Sequence, residues 1–523
     1  MHKPETLSML RQASFKFLLP LILVIPLVAW AFLGANPAEP LPDKQSIKVS
    51  NASAPKIFPK SFFGFNAQQI RGPVLSENNF IRAVKGLNPA VLRYPGGTVA
   101  SYWDWKAGWF KDEIPLKKDW REIRKNPIRL EDLKAACDST GAAPLLVLNM
   151  CTSTLEYQLA MLQHAKKIGM KVNHVELDNE LYISESIYTD RFSSGEDYAN
   201  ECNKWIVAIK KEYPDMRIAV VGYSAKDSDF RKNKNEVSRA VNWNREVLGT
   251  IRGADAMTFH TYGGNALNYL RGPGDISGDE DKESMEYQAI FDRGTSPPLA
   301  LGIPFSRWEN SKAYDLQLLP SGMKAWITEY NLFEREGVMA GTWLHGLYAV
   351  TQTLLMLESD QVELSCYHNL SSSAQFGAIF NSDQGFIKAV KQKPTAELGL
   401  SAAGNSLSMA GKTFKGATHY TQLRFDGVES IKGARGHAYP ALIGVSCTGS
   451  QGDRILVVNL SDKSARIDVS AVLPKGGSWS QVISKPATQV ASSADVERRK
   501  IKSATASDLP PYSISLISSG VEP

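Results

Sequence analysis

Several chemistries are missing from this sequence. No GxGxxG turn follows its first strand-like segment and no P-loop occurs, so nucleotide binding has no motif to rest on. There is no GxSxG elbow, no CxxC pair and no zinc-like spacing. Five scattered cysteines (Cys137, Cys151, Cys202, Cys366 and Cys447) do not make a disulfide framework. Neither sign of charge dominates, with 59 basic residues against 54 acidic ones, and no basic stripe carries interleaved aromatics. Nucleic acid is therefore not an expected partner, and "ERRKIK" at 497–502 reads as a solvated turn. With 43% hydrophobic and 22% charged residues, the composition also excludes a disordered or collagen-like chain.

Long apolar runs are scarce as well. The exception, "FLLPLILVIPLVAWAFLGA" at 17–35, comes after Lys3, Arg11 and Lys16 and has no polar face. It reads either as a cleaved signal peptide, with a small-x-small site at Ala29-Trp30-Ala31, or as an N-terminal membrane anchor kinked at Pro20 and Pro26. Both readings export the rest of the chain, so the expected location is periplasmic, secreted or membrane-anchored outside the cytoplasm. Residues 36–60 read as a Pro/Ser/Lys-rich linker whose end can return as a strand.

What is present is a regular alternation. Strand-like segments occur at 62–67, 90–96, 143–150, 171–177, 217–222, 256–262, 324–331 and 362–369, several of them apolar without clean alternation. That texture belongs to parallel strands covered on both faces. Helical spacing recurs between them, at 154–169, 196–214, 235–253 and 338–357. Eight such units predict an α/β fold, a (β/α)8 TIM barrel over residues 61–394. Residues 98–130, dense in Trp, and 263–323, with an apolar stretch near Pro298, are longer connections of the kind that decorate a barrel rim. Past 395 short strands and Gly/Ser/Asp turns predict a C-terminal β-sandwich over 395–523, with no long helix.

In barrels, functional groups gather where strands end, so the polar residues at those ends are the candidates. They are Arg93 after strand two, Asn149 after strand three, and Asn179 and Glu180 after strand four in "VELDNELY". His260 and Tyr262 end strand six, Glu329 ends strand seven, and His368 and Asn369 end strand eight. Carboxylates on strands four and seven would face each other across the mouth, which suits double-displacement glycoside hydrolysis, although order alone does not say which one attacks. Glu176 reads as scaffold paired to a basic barrel residue, and Asp178 as support. Two rival readings stand beside this one. A metal-dependent TIM-barrel hydrolase would use His260, His368, Asp178 and Glu329 as ligands. A non-catalytic carbohydrate-binding or envelope structural protein would have no use for the paired carboxylates.

These strand ends resemble the clan of retaining (β/α)8 glycoside hydrolases, clan GH-A, nearest the branch of alpha-L-arabinofuranosidases, heparanase-like beta-glucuronidases and beta-xylosidases. The resemblance rests on Asn179-Glu180, on Glu329 in "WITEYN", on Arg93 with "YPGG" at 94–97, and on His260-x-Tyr262. It spans most of residues 60–520, because those families also fuse a β-sandwich to the barrel. It implies Glu180 as acid/base, Glu329 as nucleophile, Tyr262 as a hydrogen-bond donor to the nucleophile, and Asn179 as a contact to the sugar 2-hydroxyl. It further implies a polysaccharide or oligosaccharide substrate and no cofactor. The chain departs from the pattern in having "LDNE" followed by Leu-Tyr where relatives carry Gly before the Asn or Pro after the Glu. Strand eight also lacks the clan's Trp, which leaves Trp103, Trp105 or Trp109 as the expected sugar-stacking platform.

Overall fold

Eight parallel strands close into a barrel: β1 (Phe63–Asn66), β2 (Val91–Tyr94), β3 (Ala143–Leu148), β4 (His174–Leu177), β5 (Arg217–Val221), β6 (Ala256–Gly263), β7 (Lys324–Leu332) and β8 (Val362–Tyr367). β8 pairs with β1 through Ser365–Phe63, Cys366–Gly64 and Tyr367–Phe65, which completes the ring. The computed structural model describes residues 46–519 except 71, 117, 124, 225–233, 265–295, 333–338, 373–376, 381–398, 434–436 and 489–494. The apolar run 17–35, residues 36–45 of the linker and most of the 263–323 connection lie outside the described residues. Among the described residues no helix is long and apolar enough to cross a membrane.

The strands are buried on both faces, as their near-continuous apolar runs require. Inside the barrel Val91, Leu145, Ala219, Ala256, Trp326, Leu364 and Cys366 form one packed layer, so the interior is a core and not a pore. Gly64 is needed there, because a Cβ would sit 2.9 Å from both Cys366 Sγ and the Val91 carbonyl oxygen.

One principal helix follows each strand: α1 (Asn78–Leu87), α2 (Leu130–Thr140), α3 (Leu155–Lys167), α4 (Gly195–Glu212), α5 (Lys234–Thr250), α6 (Ser296–Asn310), α7 (Trp343–Met356) and α8 (Ala402–Phe414). Thr154, Ser194, Thr342 and Ser401 cap α3, α4, α7 and α8 by accepting the backbone N–H three residues on. The apolar stretch near Pro298 is α6, with Pro297 and Pro298 in its first turn, where the missing N–H costs nothing.

α8 corrects the expectation of an all-β segment after 395. Its residues are mostly small (Ala402, Ala403, Gly404, Ser406, Ser408, Ala410, Gly411) and buried around nearly the whole circumference, so the composition reads as turns although Ala403, Leu407, Ala410 and Phe414 recur at helical spacing. The helical ring thus runs to Phe414, past residue 394. The turn expected at 497–502 is also different: it is an edge strand, Glu497–Ala504, paired with Gly477–Ile483. Its Lys and Arg side chains suit a sheet edge that must not recruit another strand.

Most of the remaining strands form one curled sheet. Its order is Glu497–Ala504, Gly477–Ile483, Ser513–Ser518, Arg454–Asn459, Leu442–Gly449, Ala417–Phe425, Ile47–Asn51, Ala465–Asp468 and Ala506–Leu509. The curl encloses Val49, Phe425, Ile455, Val457, Ile467, Leu473, Trp479, Leu509 and Ile517, which gives the expected β-sandwich core. Ile47–Asn51, from the other end of the chain, is hydrogen-bonded into the middle of this sheet. The sandwich is tied to the barrel by Tyr420, whose hydroxyl donates to the Leu357 carbonyl at 2.8 Å, and by Arg498, which donates to Asn405 on α8.

Candidate active site

Strand register brings the polar groups together. Asn66 on β1 is the Cα partner of Arg93 on β2, and His260 on β6 is the partner of Glu329 on β7. Arg93 is fully buried and all three arms of its guanidinium are engaged. Nε donates to Glu176 Oε2 at 2.7 Å, Nη1 to Glu329 Oε1 at 2.9 Å and Nη2 to Asn179 Oδ1 at 2.8 Å. Burial opposes the Arg93 charge, but Glu176 and Glu329 more than restore it and raise its pKa. A single residue on β2 therefore sets the orientation of groups on β4 and β7.

Glu329 receives further donors: Asn66 Nδ2 to Oε1 at 3.1 Å and the Tyr262 hydroxyl to Oε2 at 2.6 Å. Burial works against its charge, yet the positive partners His260, His368 and Arg93, with the Tyr262 hydrogen bond, hold the carboxyl well below the usual carboxylate range. Burial holds the His368 pKa low although Glu329 opposes it, and its Nδ1 accepts from Asn66 Nδ2 at 2.6 Å. Burial, then Glu329 itself, pushes the Tyr262 phenol well up, which keeps it a donor.

Glu180 is dressed differently. Its Oε1 lies 2.8 Å from His260 Nδ1 and accepts from the Tyr182 hydroxyl at 3.0 Å. Its side chain is 19% exposed against 7% for Glu329, so it is the more open of the two carboxylates. His260 Nδ1 is also 3.7 Å from Glu329 Oε2, so that oxygen and Glu180 Oε1 are at most about 6.5 Å apart, the sum of the two distances. On its other side His260 Nε2 meets Thr328 Oγ1 at 3.2 Å, and Thr328 donates its one proton to Glu176 Oε1 at 3.3 Å. Thr328 must therefore accept from Nε2–H, which leaves Nδ1 of a neutral His260 as an acceptor. The contact with Glu180 then holds one proton between carboxyl and imidazole. Burial lowers the His260 pKa, but the charges of Glu329 and Glu180 outweigh it and raise the group overall.

Among the described residues, Asn179 Nδ2 and Asn66 Oδ1 here are buried without a hydrogen-bond partner. An unpaired buried donor and acceptor are costly, and they fit a ligand's hydroxyl groups. The arrangement can thus offer an ionised carboxylate, a second carboxyl sharing a proton, and one unpaired amide atom on each of Asn66 and Asn179.

Of the candidates read from the sequence, Arg93, Asn179, Glu180, His260, Tyr262, Glu329 and His368 meet in this group, His368 with Nδ1 3.6 Å from Glu329 Oε2. Asn149 is buried and fully engaged: Nδ2 donates to the Trp103 carbonyl and Thr152 Oγ1, and Oδ1 accepts the Thr152 N–H. Trp103 and Trp105 are 4% and 7% exposed, with indole N–H groups donating to Tyr94 Oη and the Tyr157 carbonyl. Neighbouring rings pack on them, Tyr94, Trp109 and Phe110 on the first and Tyr157 and His164 on the second, so the structure does not offer them as an open platform. Glu176 is the partner of Arg93. Asp178 turns away from the mouth, and among the described residues no three His, Cys, Asp or Glu side chains gather as metal ligands. All five cysteines are buried free thiols. Asn66 and Thr328 were missed, although Asn66 ends its strand as visibly as Arg93 does.

No family model matches the chain. A 200-residue segment is 26% identical to alpha-L-arabinofuranosidase C of Emericella nidulans and 25% identical to the probable alpha-L-arabinofuranosidase C of Aspergillus fumigatus. These matches take in 32% of this chain and span 39% of the length of those relatives. Similarity to solved structures extends much further. The alpha-L-arabinofuranosidase of Thermotoga maritima superposes with a TM-score of 0.61 at 17% identity, over 91% of this chain and 100% of that one. The family 51 alpha-L-arabinofuranosidase of Bifidobacterium longum gives 0.65 at 15% identity, over 92% and 100%. A 4-O-alpha-L-rhamnosyl-beta-D-glucuronidase of Fusarium oxysporum gives 0.55 at 10% identity, over 90% and 99%. The fold is that of the clan GH-A (β/α)8 barrels, in the neighbourhood of the arabinofuranosidases.

Proposed function

We propose that this protein is a retaining glycoside hydrolase acting on alpha-L-arabinofuranosides of a polysaccharide or oligosaccharide, with Glu329 as nucleophile and Glu180 as acid/base. The observation that carries the reading is the pair of unlike carboxylates flanking one imidazole, at most about 6.5 Å apart at their facing oxygens. Retention uses carboxyl groups about 5–5.5 Å apart, whereas inversion needs roughly 6.5–9.5 Å to admit water. Their environments divide the two roles. Glu329, held ionised by Arg93, Asn66 and Tyr262, suits attack on the anomeric carbon. Glu180, more open and sharing a proton with His260, suits delivery of that proton to the leaving oxygen. In the second step Glu180 takes a proton from water, the hydroxide oxygen bonds to the anomeric carbon, and Glu329 departs as a carboxylate. Asn179, its Oδ1 fixed by Arg93, presents Nδ2 to a sugar hydroxyl.

The arabinofuranosidase names of the similar proteins support arabinose as the glycone. Among the described residues, Arg93 is engaged on every arm and Lys106 lies over the Trp105 and Tyr157 rings at 5.4 and 4.8 Å, so neither is offered to a uronic acid. The apolar run 17–35 supports export, with association to a membrane if it is retained. The test is a panel of aryl arabinofuranosides, xylosides, glucosides, galactosides and glucuronides, with the first-formed anomer followed by NMR. Arabinofuranoside hydrolysis with retention is expected, unaffected by chelator, abolished in Glu329→Ala and partly restored there by azide. Inversion, or full activity in Glu329→Ala, would overturn the assignment.

A further inference from the structure

Asp178 stands where the chain leaves β4, and its carboxylate is completely buried. It points away from the carboxylate pair and gathers four donors from three segments. Oδ2 accepts the backbone N–H groups of Met150 and Cys151, both at 2.7 Å, just after β3. Oδ1 accepts the Asn179 N–H at 2.8 Å and the hydroxyl of Ser101, from the loop after β2. The backbone here is unusual. Asp178 has φ 69° and Glu180 φ 46°, so two of three consecutive residues are left-handed without being glycine. Each such residue costs of order 1 kcal/mol unless its surroundings hold it.

We infer that Asp178 is the positioning residue for Glu180: it clamps the left-handed turn after β4 to the ends of β2 and β3 and so aims the Glu180 carboxyl at the leaving oxygen. Without the clamp, the turn has an extended conformation available that relieves both strained residues and swings Glu180 off His260. The short polar side chain, bonding locally to the Asn179 N–H, lets Asp178 tolerate a left-handed position. Burial pushes the Asp178 carboxyl up to about 6, while its four hydrogen bonds pull the other way. All four partners are donors, so the ionised form is the one that fits.

The inference rests on the hydrolase reading, and the experiment separates the two. Asp178→Gly keeps the left-handed turn accessible and removes every link. Asp178→Asn turns an NH2 group toward backbone donors. Ser101→Ala removes one donor and is the milder variant if the others do not fold. Each is assayed as kcat/KM, which reports the glycosylation step, on two arabinofuranosides: phenyl, whose leaving group needs a proton, and 2,4-dinitrophenyl, whose leaving group does not. The Asp178 variants should lose roughly 100-fold on the phenyl substrate and under about 3-fold on the dinitrophenyl one, since a positioned general acid contributes roughly 10²–10⁴-fold. Ser101→Ala should fall in the same direction by about tenfold less. Glu180→Ala calibrates the pattern. Equal losses on both substrates, or none on either, overturn the positioning role even when Glu180→Ala shows the leaving-group split. If the wild type cleaves neither substrate nor any glycoside of the panel, the hydrolase reading fails and this inference falls with it.

Discussion

Arg93→Met tests whether stability and activity are joined at one guanidinium. In the native site Arg93 sits between Glu176 and Glu329, whose side chains are 0% and 7% exposed. Methionine fills the volume but leaves both carboxylates without their cation. Removing one partner of a buried pair costs about 3–5 kcal/mol, because the charge left behind is neither solvated nor paired. Adding Glu176→Gln removes one of those stranded charges, so the double variant should regain about 1–3 kcal/mol, the usual size of coupling between contacting residues. Activity should not return with it. Glu329 would still lack the Arg93 guanidinium that helps hold it ionised, and its carboxyl would bind a proton more readily. The nucleophile must be ionised to attack, so the acid limb of kcat/KM should move to higher pH in both variants. Urea denaturation at neutral pH gives the first quantity and the pH profile gives the second. A single variant within about 0.5 kcal/mol of wild type would refute the reasoning, since that is the range of an unimportant surface change. So would a double variant that recovers activity along with stability.

Tyr262→Phe removes the 2.6 Å hydrogen bond to Glu329, a charged-acceptor bond worth about 1.5–3 kcal/mol. A fall of roughly 10- to 100-fold in kcat/KM is expected if the bond is kept in the transition state. Gly411→Ala on α8 would put a Cβ 1.9 Å from the Leu87 carbonyl oxygen, so the barrel should lose about 1–3 kcal/mol in urea denaturation. His345 is fully buried, and burial lowers its pKa from 6.5 to about 4. The unfolded chain therefore binds this proton first as pH falls: the stabilisation is complete above about 6.5 and declines down to about 4, by on the order of 3 kcal/mol in all. Unfolding at pH 7.5, 5.5 and 4 should show that decline, and His345→Gln should flatten it.

Much of the barrel was legible because parallel strands covered on both sides are written as unbroken apolar runs. The rule that polar groups at strand ends reach the mouth then named seven of the residues that meet there. Where the reading failed, composition masked the signal. α8 packs between barrel helices and the curled sheet, so it is rich in Gly, Ala and Ser, and its stripe of Ala403, Leu407, Ala410 and Phe414 is lost among turn-like residues. The Trp residues after β2 looked like a sugar platform because tryptophan is rich in apolar surface. That same surface lets Trp103 bury itself among Tyr94, Trp109 and Phe110.

Strand ends say which residues reach the mouth, not which way each one turns. Asn149 and Asn179 illustrate the difference. Both are asparagines directly after neighbouring strands, and position alone gives them equal standing. Asn149 is followed three residues later by Thr152, whose N–H and hydroxyl take up its amide, a local turn that "NMCT" could have disclosed. Asn179 has no such neighbour. Its orientation comes from Arg93, 86 residues earlier in the chain, and the direction of its backbone comes from the left-handed Asp178 before it. Contacts that distant are set by the closure of the barrel, so a reading of local pattern could name Asn179 but could not distinguish it from Asn149. The same closure leaves Asn179 Nδ2 without a partner while Asn149 is satisfied on both atoms, and that unpaired donor marks the side of the mouth where a sugar hydroxyl belongs.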